Sequence, residues 1–444
     1  MKPAPSPLPP LRLPRALLDP GDAGLPAADA DGLVAVRLAH QQGRISAILP
    51  WSPGPEEGSV EPPLALTPPV EPHAHLDKAY SWPGFPNREG TLEGALAANW
   101  REAQERSGER VLERGERALQ QAWRHGLRAV RSHIDSLGPA AEASWEALLA
   151  LRERWRGRVE LQLVALVALD HWLTPEGERL AARVVAQGGL LGGVLGAPFQ
   201  RGPHDRRSLA AVLSLAERHG CVGIDLHIDE SDADHGRGLE LLCQVLRPEP
   251  SGPPLTCSHA SSMGLLPERR CQRLAERLAE RRVRVVALPT TNLWLLGRRP
   301  ASTPCLRPQA PIHQLQAAGV EVAIGGDNVQ DPWYPGGDFD PVELLRFAMA
   351  ASHLMPWQRQ GISPFCGAAA RVLGLEWDGV IRPGCPADLL VLDAADWSEL
   401  LARPPRRRVL RGGRWLPEAA GLEPHCRLLP FLASGAPDQP DGGG

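Results

Sequence analysis

The segment Glu71-Pro-His73-Ala-His75-Leu-Asp77-Lys78 sets two histidines two positions apart at the end of an apolar run. In an extended strand, residues two apart project to one face, so His73 and His75 can offer two imidazoles to a single metal ion. The complements of that pair lie downstream, each closing a later apolar run. The run 222–230 ends in His227 and Glu230, the run 255–259 ends in His259, and the run 320–328 ends in Asp327 and Asn328. Taken singly, a histidine at a strand end is more often a hydrogen-bonded structural residue. Imidazoles and carboxylates closing several runs at their C-terminal ends are the donor set of a divalent-ion site with acid–base groups beside it.

Such side chains meet only if the strands end on one rim. Eight apolar runs qualify: 64–75, 127–133, 159–166, 190–197, 222–228, 255–259, 283–288 and 320–326. Pro68 and Pro69 interrupt the first, because proline cannot donate to a ladder. Segments of helical spacing lie between most of the runs, among them 92–123, 209–219, 239–246 and 267–281. Strand–helix alternation predicts a parallel sheet. Eight repeats predict an α/β fold of the (β/α)8 TIM-like barrel class, with its active site at the C-terminal strand ends. Residues 292–311 read as a long Pro- and Arg-bearing loop, either a lid or a passive surface loop.

The two ends of the chain break the alternation. Residues 33–38 and 43–49 predict a hairpin, and 387–393 and 408–415 further strands, the last turning at Gly412-Gly413. Together they predict a small β-sandwich domain built from both termini. The expected organisation is 1–63 and 378–434 for that domain, 64–377 for the barrel, and 435–444 as a disordered tail rich in Gly, Pro and Asp.

Composition narrows the class. The 444 residues are 43% hydrophobic, ample for a large core. A net charge of −4 and a pI near 6.4 argue against a nucleic-acid partner. The run Arg406-Arg407-Arg408 is too short to alter that and reads as a solvated turn. No apolar stretch reaches the ~18 residues of a membrane helix. The eight cysteines are scattered without a Cys-x-x-Cys pair, and the Pro-rich start lacks the apolar core of a signal peptide. A reduced, cytoplasmic protein is expected, and a homo-oligomer is as compatible as a monomer.

Of 48 basic residues only Lys2 and Lys78 are lysines. With no lysine beyond Tyr80, a carbamylated lysine bridging two metals is excluded, and a single-metal site is expected. Lys78 itself is either a cation beside metal or substrate, or a partner for an acid such as Asp77.

Several pieces together carry a family resemblance: Pro72-His-Ala-His-Leu-Asp77, Val130-Arg-Ser-His133-Ile-Asp135, Asp225-Leu-His227-Ile-Asp-Glu230, Ser258-His259-Ala, Pro289-Thr-Thr-Asn292, Gly326-Asp327-Asn328-Val-Gln-Asp331-Pro-Trp333-Tyr-Pro335, Gly384-Cys-Pro-Ala387-Asp388 and Arg411-Gly-Gly413. From about residue 30 to residue 420 the chain resembles the amidohydrolase superfamily, within it the cytosine deaminase branch. The resemblance implies one divalent ion, Zn or Fe, held by His73, His75, His227 and Asp327. It implies that Asp327 takes a proton from water, that Glu230 protonates the ring nitrogen beside the attacked carbon, and that His259 stabilises the oxygen there. His133 and Asp135 either orient a ligand or are ordinary polar strand ends. Trp333 either stacks on a planar substrate or belongs to the core.

Three positions depart from the cytosine deaminase pattern. The glutamine usual just past the third strand is replaced by Ala168, with Asp170 and His171 close by. Asn328 stands where a second aspartate is usual. Lys78 is similar instead to N-isopropylammelide isopropylaminohydrolase, a relative acting on a triazine. The expected function is hydrolytic deamination of a small nitrogen heterocycle, cytosine-like (cytosine and water to uracil and ammonia), with Lys78, Asn328 and Trp333 toward the substrate. The alternatives are an amine-releasing or ring-opening amidohydrolase on a triazine or other heterocycle, and a noncatalytic barrel scaffold.

Overall fold

The computed structural model describes residues 6–21, 24–53, 61–199, 203–248 and 252–417; the expected tail at 435–444 lies outside them. Eight parallel strands follow one another in chain order: β1 (Val70–Ala74), β2 (Ala129–Asp135), β3 (Glu160–Leu166), β4 (Leu190–Leu195), β5 (Ile224–Ile228), β6 (Leu255–His259), β7 (Arg284–Ala287) and β8 (Val322–Ile324). A bridge between Ala74 and Asp327 joins the last strand to the first. The sheet is therefore a barrel, and each expected run carries one of its strands. Both faces of the strands are covered, one by the packed lumen and one by helices, so they are buried almost throughout, with polar residues mainly on the lumen side.

The first run is divided. Pro68 and Pro69 end a two-residue strand, Ala65–Leu66, before β1 begins, and that short strand pairs with Leu389–Leu392 of the small domain. The expected helical stretch 92–123 is two helices, Leu92–Glu105 and Gly108–Arg124. Arg106 leaves helical geometry (φ −69°, ψ 120°), and Ser107 caps the second helix by accepting the Arg110 N–H. The 292–311 loop begins later than expected. Pro289 starts a short helix, Pro289–Leu295, in the position where a missing N–H costs nothing.

The terminal segments form two antiparallel sheets. One holds Leu11–Pro14, Leu33–Gln41 and Arg44–Pro50; the other holds Ala65–Leu66, Leu389–Leu392, Arg407–Arg411 and Arg414–Trp415. They share a core of Leu11, Val36, Leu38, Ala65, Leu389 and Leu410. The last hairpin turns at Gly412 and Gly413 with φ of 51° and 73°, the left-handed pair that a two-residue hairpin requires. Arg407 and Arg408 are strand residues rather than a solvated turn. Arg407 pairs with Asp340, and Arg408 lies over the Trp415 ring. Among the described residues no helix is long and apolar enough to cross a membrane.

Candidate active site

His73, His75, His227 and Asp327 converge at the C-terminal rim of the barrel. His73 Nε2 lies 3.2 Å from His227 Nε2, and His227 Nε2 lies 3.5 Å from His75 Nε2. Asp327 Oδ1 is 3.2 Å from His75 Nε2 and 3.6 Å from His73 Nε2. Ligands about 2.0–2.1 Å from a tetrahedral ion are separated by about 3.3–3.4 Å, which these spacings match. Hydrogen bonding alone does not account for the cluster, since three imidazole nitrogens and a carboxylate oxygen face one another with too few protons to share. His75 Nδ1, His227 Nδ1 and both Asp327 oxygens are buried with no hydrogen-bond partner. Burial, reinforced by neighbouring rings, holds His73 and His227 well below the usual histidine range, leaving them neutral and able to ligate. Burial works against the Asp327 carboxylate, yet the His75 and His259 rings hold it below its ordinary value and therefore ionised. These residues fit a divalent ion.

The surroundings lock these side chains in place. His73 Nδ1 is 2.9 Å from Ser258 Oγ, which donates to Asp225 Oδ1 at 2.8 Å; Asp225 in turn pairs with Arg131 at 2.8 Å. His133 is fully buried and stacks on His73, ring centroids 3.9 Å apart and 27° from parallel. The Glu71 carboxylate accepts the Gly326 N–H at 3.0 Å and the His73 N–H at 3.1 Å, stapling β1 to β8 where the barrel closes. At Asp327 and His259 the backbone turns through φ of 63° and 73°, which costs a non-glycine residue on the order of 1–3 kcal/mol. The packed rim sustains these turns and aims both side chains at the cluster.

Glu230 follows β5 and faces the cluster. Its Oε2 lies 3.6 Å from His259 Nε2. Burial raises the Glu230 carboxyl to about 8, with Asp327 adding to the shift and Lys78 opposing it. Burial lowers His259 to about 4, so its ring is neutral. Asn292 Nδ2 donates to His259 Nδ1 at 2.9 Å, which puts the ring proton on Nε2, the side facing Glu230. Asp229 holds this loop by accepting the N–H groups of Gly238 and Leu239, capping the helix Arg237–Val245.

Lys78 pairs with Asp135 at 2.7 Å rather than with its sequence neighbour Asp77, which is taken by Arg106 at 2.8 Å. Burial disfavours the ammonium, and Asp135 and Asp77 more than restore it. Arg106 also reaches Glu102 at 2.6 Å and Asp135 at 3.2 Å, so opposite charges compensate one another in a buried cluster. Lys78 Nζ sits 4.8 Å from the centre of the Trp333 ring. Trp333 is partly buried and packs against Ala95, Leu295 and Leu296. The Asn328 side chain is engaged within the protein: Nδ2 donates to Asp331 at 2.8 Å, and Oδ1 accepts from Thr291 at 3.4 Å. Asp331 then accepts the Trp333 N–H at 2.9 Å, so Asn328 acts on the Trp333 loop. A separate groove of about 930 Å³, lined by Arg128, Arg158, Trp377 and Arg382 among others, shares no residue with this cluster.

The sequence pattern of the amidohydrolase family matches residues 85–416. The chain belongs to the amidohydrolase family. Its enzyme class is hydrolysis of carbon–nitrogen bonds other than peptide bonds. This amidohydrolase is 34% identical over 409 residues to a pterin deaminase of Rhizobium rhizogenes, spanning 88% of this chain and 90% of that one. Among solved structures, a 5-methylcytosine deaminase from Klebsiella pneumoniae superposes with a TM-score of 0.75 at 26% identity, covering 92% of this chain and 97% of the other. An N-isopropylammelide isopropylaminohydrolase from Burkholderia multivorans superposes with a TM-score of 0.67 at 27% identity, covering 92% and 98%.

In this amidohydrolase the position just past β3 is Ala168, bridged to Val194. Asp170 turns away toward His204, 3.6 Å distant, and His171 packs edge-on to Trp172. Asn292, Ser258, Asp225 and Glu71 received no individual roles from the sequence. A carboxylate two residues before a lumen histidine, as in Glu71-Pro-His73 and Asp225-Leu-His227, was the available signal.

Proposed function

We propose that this amidohydrolase hydrolytically deaminates a small amino-substituted nitrogen heterocycle, replacing an exocyclic C–NH2 by C=O with release of ammonia. The observation that carries the reading is the Glu230–His259 pair beside the four converging ligand atoms. His73, His75, His227 and Asp327 would hold one divalent ion, zinc or iron, which when bound would supply a water acidified toward neutrality. Glu230, protonated up to about pH 8 by its burial, gives its proton to the ring nitrogen next to the attacked carbon. Asp327, ionised, accepts the proton of the attacking water. The Nε2–H of His259 donates to the oxygen as charge gathers there. The proton on Asp327 and that of the newly added hydroxyl then pass through Glu230, one restoring its carboxyl and the other converting the amino group into ammonia as the C–N bond breaks and the C=O forms.

Lys78 and Trp333 line the approach, one as a hydrogen-bond donor for a ring carbonyl and the other as an aromatic face. Asn328 contributes by holding the Trp333 loop. The pterin and 5-methylcytosine relatives named above support an aminated pyrimidine ring as the reacting head. An alkylamine leaving group on a triazine is the second reading, favoured by the isopropylaminohydrolase structure. Ammonia and alkylamine release from cytosine, isocytosine, pterin and N-isopropylammelide test both. Ammonia from an aminated pyrimidine ring supports the first, isopropylamine the second, and release from none of the four refutes both.

A further inference from the structure

The rim of the barrel is divided by chemistry. The ends of β5, β6 and β8 and the turn after β7 supply Glu230, His259, Asp327 and Asn292, all polar and largely buried. The arc at the ends of β3 and β4 presents apolar side chains to solvent.

Register fixes where that apolar surface lies. Val194 on β4 is paired with His227 on β5, and paired residues of neighbouring parallel strands project to the same side. Since His227 points into the lumen, so does Val194. It is 43% exposed on a strand whose other residues are all buried. The next position around the barrel is Ala168, bridged to Val194 and likewise exposed. Adjacent strands lie about 4.8 Å apart, so open apolar surface begins about 5 Å from His227 and continues to about 10 Å. Gly192, two residues before Val194, adds no side chain to the wall. Leu137 and Leu173, on the segments following β2 and β3, are 45% and 44% exposed. Asp170, on the same short helix as Leu173, is directed to His204 and not to this wall.

We infer that the Ala168–Val194 arc is a specificity subsite for a second, fused ring, so that the enzyme selects bicyclic aminopyrimidinones over single-ring ones. The inference rests on the proposed deamination, which places the reacting carbon at the ligand cluster. A single six-membered ring placed there reaches only toward Val194. A fused ring continues over Ala168 and buries apolar surface that is otherwise wet, and neither the Ala168 nor the Val194 side chain has a polar atom that it would strand.

Isocytosine and pterin carry the same 2-amino-4-oxo head and differ by the fused ring. The expected result is a kcat/KM for pterin tenfold or more above that for isocytosine, the scale of discrimination by apolar pocket contacts. Ala168→Phe fills the subsite and should lower the pterin-to-isocytosine ratio by tenfold or more. The ratio is internal to each preparation, and metal content and melting temperature verify that the variant is folded. A wild-type preference for isocytosine, or a ratio unmoved by Ala168→Phe in folded, loaded protein, overturns the subsite and leaves deamination standing. Turnover of neither compound, nor of cytosine, overturns the deamination. Calorimetric binding then decides the subsite: pterin affinity weakened by Ala168→Phe supports it, and unchanged affinity or absent binding overturns it.

Discussion

Replacing Ser258 by alanine tests how the protein holds His73. The hydroxyl links His73 Nδ1 at 2.9 Å to Asp225 Oδ1 at 2.8 Å, and all three side chains are fully buried. Alanine deletes both hydrogen bonds and leaves no room for water to replace them. His73 loses the acceptor that keeps its proton on Nδ1 and its Nε2 lone pair toward the ligand cluster. Asp225 keeps only Arg131 as a strong partner. Loss of such an outer partner weakens metal binding about 10- to 100-fold, equivalent to about 1.4–2.7 kcal/mol. The unpaired buried groups separately destabilise the metal-free fold by about 1–3 kcal/mol. Competition against a chromophoric chelator gives the zinc affinity, and thermal melts with and without metal separate the two effects. The stabilisation conferred by saturating zinc should shrink with the affinity. Zinc affinity equal to wild type in Ser258→Ala would refute the role assigned to the Asp225–Ser258–His73 chain.

Three further perturbations test other contacts of the fold and site. Asn292→Ala removes the donor to His259 Nδ1 and opens both neutral tautomers of the ring; ¹⁵N spectra should pass from a single Nε2–H form to a mixture and kcat should fall, and an unchanged spectrum contradicts the assignment. Gly325→Ala places a Cβ 2.7 Å from Glu71 Oε1 and 3.0 Å from Leu288, forcing apart the staple that closes the barrel; the urea midpoint should correspond to a loss of about 1–3 kcal/mol, and an unmoved midpoint contradicts it. Burial opposes the Asp340 carboxylate, but Arg407, bonded to both its oxygens at 2.6 Å, holds its pKa below the ordinary value. The stability it contributes is therefore full above the unfolded pKa of about 4 and lost as pH falls through the depressed value. Asp340→Asn should cost on the order of 1–3 kcal/mol near neutrality, with the gap to wild type narrowing in acid; a gap independent of pH contradicts the linkage.

The barrel was legible in the sequence because parallel strands covered on both faces read as short apolar runs. The converging residues were legible because each stands at the C-terminal end of such a run, where the chain must turn. Pro68 and Pro69 marked a boundary that the continuous reading of 64–75 passed over, and the strand before them pairs with a segment more than 300 residues later in the chain. The helix Pro289–Leu295 was hidden by length, since seven residues with two threonines and an asparagine make little helical periodicity. Partner choice was the least accessible quantity. Lys78 stands next to Asp77 in sequence, yet the turn after β1 sends Lys78 to Asp135 and Asp77 to Arg106. Asn328 follows a metal-ligand candidate, but its amide is spent on Thr291 and Asp331. Such pairings depend on which rim positions meet across the barrel, which local sequence does not encode.

The most direct test of the central claim measures metal content and ammonia release together for wild type and Glu230→Gln. The account predicts about one divalent ion per chain in both, as a single site requires. It predicts one ammonia per heterocycle consumed by the wild type and almost none from the variant, because a neutral amide cannot carry the proton. Full turnover by a metal-loaded Glu230→Gln protein would contradict it.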